Sequence, residues 1–333
     1  VFENPLWQDV FKEAAQILFQ GVNMKSEFRK DYIQEKYVII APRRIKRPND
    51  VRVPVDQTTK QFDEACQFCS GHLKGDKFLY RLGPAKNWRI ATKANKYPVV
   101  TLNNPRAYGQ QEVVIETPDH LRELEDLPVE HLAELLTTYA ERTKAITKNK
   151  KIEYILIFKN NGGTAGASLQ HSHSQIFATN FLPPHLADKS QRQQAYKLQK
   201  GTCVYCDVIK KEKKGPRFVW QDKNIIAFTP YASMFNYEIW IMPKRHIDNI
   251  TLLTAAEKLS WAKILKHSLK KISLLNLPYN YYFHQVIHDE DQHLYMKIVP
   301  RGSVWAGVEI GSGLIINPIA PEEAARFYRL GLK

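Results

Sequence analysis

The chain has 333 residues, 44% of them hydrophobic, with 16 tyrosines, 15 phenylalanines and a formal net charge of +14. That is material for one large domain or two ordinary ones, and it excludes a natively disordered chain. No apolar run approaches the roughly 20 residues needed to cross a bilayer. The charge favours anionic partners, either nucleic acid or phosphorylated small molecules, without separating the two.

In chain order, the opening VFENPLWQDVFKEAAQILFQ places apolar residues at helical spacing among acids. An amphipathic helix is expected there, since a secretory leader would begin basic and continue as one apolar block. A cytoplasmic location is the resulting expectation. KYVIIAP is a strand-sized run, followed by the basic cluster PRRIKRP (residues 42–48) and then by Cys66 and Cys69 in CQFC. QEVVIETPDH reads as a strand ending at His120, and PVEHLAELLTTYAERTKAI as a helix with acids near its start. KIEYILIFKNN is the next strand and leads into GASLQHSHSQIF, Gly166 to Phe177. The polar, Gln-rich stretch HLADKSQRQQAYKLQKGT then reads as a join between domains. Beyond it the series recurs: Cys203 and Cys206 in CVYC, the strand YEIWIMPKRH ending at His246, a helix from Thr254, the strand YNYYFHQVIH, and DQHLYMKIVPR.

Laid over each other, the halves pair Cys66 with Cys203, Cys69 with Cys206, His120 with His246, and His171 with His293. The expectation is an α+β protein of two tandem repeats, each an antiparallel sheet with packed helices, divided into residues 1–190 and 191–333. A C-x2-C turn lets two thiolates bind one ion, and two histidines complete a tetrahedral shell. Two zinc ions are therefore predicted, held by Cys66, Cys69, His120 and His171, and by Cys203, Cys206, His246 and His293. With every position filled by protein, both would be structural.

His173 has no counterpart, because Tyr295 takes its place in the second half. A strand puts it on the same face as His171. If a backbone carbonyl holds one ring nitrogen, the other is available as a nucleophile, with phosphorus the natural target in a basic protein. The alternative is a satisfied polar histidine in a half-buried strand. Gln175, on the same face, has an amide that can donate to a phosphate oxygen.

The run from Phe158 to Gln175, F-K-N-N-G…G-A-S-x-x-H-S-H-S-Q, resembles the active-site signature of the galactose-1-phosphate uridylyltransferase family, within the histidine-triad superfamily. The resemblance extends from about Phe28 through PRRIKRP, TPDH and GSGLIINPIAPEEAA. It implies a histidine-triad-like fold in both repeats and a homodimer. His171 would be a metal ligand, and His173 a nucleophile that takes a nucleoside monophosphate from a nucleotide sugar (a UDP- or ADP-hexose). Gln175, where the hydrolases have a third histidine, implies transfer to a hexose 1-phosphate. The resemblance also places Asn160 and Ser168 on the nucleotide phosphates, Arg44 and Arg47 on the sugar phosphate, and Asn95 on the base or ribose. Lys297 and Glu309 would reach the partner subunit's hexose.

The family most often reads H-P-H-G-Q, whereas this chain reads H-S-H-S-Q. It also lacks a glutamine shortly after Glu309 and completes a second Cys2His2 set. These departures are similar to the ADP-sugar phosphorylase branch, in which inorganic phosphate is the acceptor. A non-enzymatic, zinc-containing nucleic-acid-binding protein is the alternative from another class. The missing C2H2 finger spacing argues against it, as do aromatics that fall in strands instead of between basic residues.

Overall fold

The computed structural model describes residues 25–46, 64–69, 71–73, 75–287 and 289–332. The expected N-terminal helix and Arg47 lie outside these residues. In chain order the first half contains β1 (Glu27–Lys30), β2 (Tyr37–Ile40), β3 (Phe78–Leu82), β4 (Ile90–Ala94) and β5 (Gly109–Ile115). Helix α1 (Val129–Ile146), β6 (Tyr154–Asn161) and β7 (His173–Thr179) follow. The second half begins with α2 (Pro184–Lys200), α3 (Val204–Glu212), β8 (Phe218–Gln221), β9 (Ile225–Phe228) and β10 (Ile239–Pro243). It ends with α4 (Ala255–Leu274), β11 (Tyr279–His284), β12 (Tyr295–Pro300), α5 (Gly307–Ser312), β13 (Ile315–Asn317) and α6 (Pro321–Arg329).

Among the described residues, ten strands form one antiparallel sheet in the order β3-β4-β5-β7-β6-β11-β12-β10-β9-β8. Read outward from the centre, the first half runs β6-β7-β5-β4-β3 and the second β11-β12-β10-β9-β8, so the two repeats are laid edge to edge. They join where β6 pairs with β11, Phe158 opposite Tyr282 and Asn161 opposite Tyr279. The fold is thus α+β with two matching five-stranded units, and pairing the inner edges removes two exposed strand edges. A smaller sheet, β1-β2-β13, lies apart from it in strand order.

Both crossover helices form where their apolar residues recur at three and four. α1 buries Leu132, Leu135, Leu136, Tyr139 and Ile146. α4 opens with a capping box: Thr254 accepts from the Glu257 amide, and Glu257 accepts from that of Thr254. The two helices pack on one sheet face, against Ile155, Ile157, Ile176 and Ala178 of the first half and Ile239, Ile241, Met296 and Ile298 of the second. On the other face the halves differ. The Cys66–Leu73 loop covers Ala91, Val113 and Ile115, whereas α3 covers Ile226, Phe228, Trp240 and Tyr295. The stretch read as a polar join is a 17-residue helix, α2, which runs through position 190 and ends where Gly201 adopts a left-handed conformation. No helix among the described residues is long and apolar enough to cross a membrane.

Candidate active site and metal centres

Each cysteine pair lies beside the end of the third strand of its unit and the start of the fifth. His120 follows β5 and His171 precedes β7; His246 follows β10 and His293 precedes β12. Their donor atoms form two groups able to hold a metal ion. In the first, Cys66 Sγ is 3.6 Å from His171 Nδ1, and Cys69 Sγ is 3.4 and 3.7 Å from the Nδ1 atoms of His120 and His171. In the second, Cys206 Sγ is 3.5 and 3.7 Å from those of His246 and His293. Bonds of about 2.3 Å to sulfur and about 2.05 Å to nitrogen in a tetrahedron put S and N about 3.6 Å apart. The residues therefore fit a four-coordinate zinc-like ion. The far ring nitrogens are oriented by carbonyls, His171 Nε2 by Thr117 at 2.7 Å, His246 Nε2 by Glu290 at 2.8 Å and His293 Nε2 by Pro243 at 2.9 Å. Such a bond places the proton on Nε2 and leaves the Nδ1 lone pair for a metal. The first group is largely buried, while His246 in the second is exposed.

His173 opens β7, with its ring on the same face as His171. Its Nδ1 lies 2.8 Å from the His171 carbonyl, which makes Nδ1–H the donor and leaves Nε2 with a lone pair. Phe68, inside CQFC, packs edge-on against the ring at 5.2 Å. Burial, and then the charge of Lys159, hold His173 below the ordinary histidine range, which favours the neutral, nucleophilic imidazole. His173 lines a cavity of about 420 Å³ together with Asn160, Ser168 and Lys159. Gly162, at φ +86°, turns the chain from β6 into the loop that forms one wall, and a Cβ there would stand 2.8 Å from Pro278.

Gln175 lies two residues beyond His173, its Oε1 accepting from Gln111 Nε2 at 2.7 Å and Asn95 Nδ2 at 3.4 Å. Those two amides fix which end of Gln175 they meet, and its NH2 is the end left to donate elsewhere. The strand register places Gln175, Phe158, Tyr282 and Lys297 directly opposite one another on successive strands. The cavity beside His173 takes in Asn160 and Ser168, while Gln175 and Asn95 meet each other farther along the sheet. Three expected substrate contacts lie elsewhere. Arg44 is exposed and close enough to Glu309 to act on its charge, while Glu309 accepts from the Ala306 amide at the start of α5. Lys297 lies over the Trp240 ring at 4.5 Å and 3.7 Å from Glu238.

Sequence reasoning missed Lys159, Glu116 and Glu123. Lys159 is 1% exposed, and its ammonium meets Glu116 at 2.7 Å and Glu123 at 3.3 Å. Burial works against the charged lysine, but the two carboxylates outweigh it and hold its pKa above the ordinary value. A lysine inside FKNN was a visible signal, because a charge at an inward strand position needs a partner.

A family model described as galactose-1-phosphate uridyl transferase, N-terminal domain, matches residues 20–183. The ADP-glucose phosphorylase of Arabidopsis thaliana is 32% identical, over 92% of this chain and 93% of its own. A galactose-1-phosphate uridylyltransferase of Thermotoga maritima is 29% identical, over 91% of this chain and 98% of its own. The crystal structure of the Arabidopsis ADP-glucose phosphorylase with bound ADP-glucose matches with a TM-score of 0.82 at 30% identity, covering 93% of this chain and 100% of that one. Similarity of this extent, carried over nearly the full length, shows that the chain belongs to the galactose-1-phosphate uridylyltransferase family and is an enzyme of nucleotidyltransferase type.

Proposed function

We propose that the chain transfers a nucleoside monophosphate from a nucleotide sugar to a phosphate-bearing acceptor through a covalent nucleotidyl-His173. His173 Nε2 attacks the α-phosphorus, an N–P bond forms, and the bond to the bridging oxygen breaks, releasing sugar 1-phosphate. An acceptor phosphate oxygen then attacks the same phosphorus and frees the imidazole. The observation that carries this reading is the 2.8 Å contact from His173 Nδ1 to the His171 carbonyl, which leaves Nε2 as the reactive nitrogen at the cavity wall. Gln175 would stabilise charge on the phosphoryl oxygens by donating from its NH2, and Asn160 and Ser168 would bind the nucleotide phosphates. Asn95, in contact with Gln175, would serve the base or ribose.

Inorganic phosphate is the acceptor we favour, which makes the activity that of an ADP-sugar phosphorylase. The H-S-H-S wording and the likeness to a full-length ADP-glucose phosphorylase support it. The likeness to a full-length uridylyltransferase supports a second reading, transfer to a hexose 1-phosphate with a uridine nucleotide. Both Cys2His2 sets would hold structural zinc, an ion that supplies no chemistry to the transfer and fixes the strand ends around His173. Residues 1–190 would form the armed unit and 191–333 the unit without a nucleophile. Arg44, Lys297 and Glu309 stand away from His173 within one chain. A homodimer in which Lys297 and Glu309 serve the partner's hexose, with Arg44 and Arg47 on the sugar phosphate, accommodates this.

Intact-mass measurement after mixing with ADP-glucose or UDP-glucose tests the reading. One nucleoside monophosphate per chain is expected on the wild type and none on His173→Ala, with metal content unchanged. Discharge by phosphate identifies a phosphorylase, and discharge by hexose 1-phosphate a transferase of the second kind. An adduct that survives in His173→Ala would refute the nucleophile assignment.

A further inference from the structure

The pleat sends Ser172 and Ser174 to the face opposite His171 and His173, where both are buried at 1% and 0% exposure. There they enter a polar assembly that the transfer reaction leaves unused. The Lys159 ammonium donates to Glu116 Oε2 at 2.7 Å, to Ser172 Oγ at 2.9 Å and to the main-chain carbonyl of His173 at 3.3 Å. The Ser172 hydroxyl lies within donating distance of Glu116 Oε2 at 2.7 Å and Glu123 Oε2 at 2.8 Å, and the Glu116 amide donates to the Ser172 carbonyl at 3.1 Å. The other Glu116 oxygen accepts from Tyr281 at 3.1 Å, and Tyr139 donates to Ser174 Oγ at 2.6 Å. Lys159 thus touches both the hydroxyl between the two histidines and the backbone of the second.

From this arrangement we propose that Lys159 is a positioning residue for His173: with Glu116 as its anchor, it pins the Ser172–His173 main chain from behind, so that the imidazole meets the α-phosphorus at the angle for attack. The inference rests on His173 being the nucleophile. A buried ion pair is a weak device for stability, since apolar residues of similar volume often serve the fold as well. Its contacts are instead directed at the backbone of the reacting residue. Misplacement of a reacting group by about 1 Å costs on the order of 10²-fold in rate, which sets the expected effect.

The test uses Lys159→Met combined with Glu116→Gln, which removes the ammonium together with its fully buried carboxylate, keeps the partly exposed Glu123, and leaves the tyrosines an acceptor. Ser172→Ala is the milder companion and keeps every charge. Three quantities are read: metal content, the affinity for nucleotide sugar in a His173→Asn background, and the first-turnover rate of adduct formation by quenched intact mass. We expect metal content and affinity to hold within about threefold. The adduct rate should fall on the order of 10²-fold in the double variant and about 3–10-fold in Ser172→Ala. If the double variant does not fold, Ser172→Ala decides. An adduct rate unchanged in the variants overturns the positioning role, as does a loss that lies wholly in affinity. A wild-type chain that forms no adduct overturns the nucleophile reading, and this inference with it.

Discussion

Glu125 provides a perturbation whose size follows from its surroundings. It lines the cavity beside His173, and its buried Oε2 has no hydrogen-bond partner among the described residues. Burial, reinforced by the charge of Glu123, pushes its carboxyl from 4.5 up to about 7. A carboxyl raised in the folded state is deprotonated first in the unfolded chain. Folding is thus unpenalised below about pH 4.5 and loses stability as pH rises from there through about 7. The gap corresponds to about 3 kcal/mol, complete above pH 8. Glu125→Gln removes the titration while keeping the shape. Denaturant unfolding of both proteins from pH 4.5 to 8.5 should show a stability difference, variant minus wild type, that climbs by about 3 kcal/mol in favour of the variant. Contributions from other titrating groups cancel in that difference. A difference that stays flat with pH would show that Glu125 ionises normally and refute the argument.

Three further outcomes are expected. Graded chelation should take the ion from the Cys203, Cys206, His246 and His293 set first, because His246 is exposed and the other set is largely buried. Metal analysis alongside the mass assay should then show one ion per chain with adduct formation retained, and its loss only when the second ion leaves. Gln175→Ala should slow adduct formation by about 10²–10³-fold, the usual effect of removing one donor to a charged transition state, without altering metal content. A rate within threefold of wild type would remove Gln175 from the chemistry. Tyr295→His in a His173→Ala background should form no adduct, since the second unit is covered where the first is open; any nucleotide carried by that protein contradicts this.

The two Cys2His2 groups were legible because a C-x2-C turn and a histidine at each strand end recur twice in register, and folding brings the donor atoms of each group within 4.8 Å of one another. His173 stood out by its lack of a counterpart, and the carbonyl that orients its ring is that of His171. Other features left no trace in the pattern. The α2 helix read as a linker because its buried positions include Lys189, Ser190 and Gln193, so no apolar stripe marks it. The joining of the sheets through β6 and β11 depends on pairing across more than a hundred residues, which neither strand's own alternation encodes. The two serines of H-S-H-S pointed, as sequence, to the kind of acceptor. In the fold their hydroxyls face the helices and bond to Glu116 and Tyr139, so whatever they say about the acceptor is not said by contact.

The two units differ in what surrounds the position that His173 occupies in the first. Tyr295 begins β12 as His173 begins β7, yet its ring stacks on Trp240 at 4.7 Å and its hydroxyl receives the Lys189 ammonium from α2. Lys189 also lies over the Tyr205 ring at 5.2 Å, and burial drives its pKa well below that of an ordinary lysine. Lys297, at the position of Gln175, is drawn over Trp240 in the same cluster. The helix that links the repeats therefore occupies, in the second unit, the face that the first leaves open around Gln175. The Cys203, Cys206, His246 and His293 set is nonetheless present there, with His246 and His293 each held by a carbonyl beside β10 and β12. Tyr295, where the first unit has His173, belongs to the core on that face. Both units carry the strand-end Cys2His2 set, and in the first it stands beside an imidazole that lines the cavity.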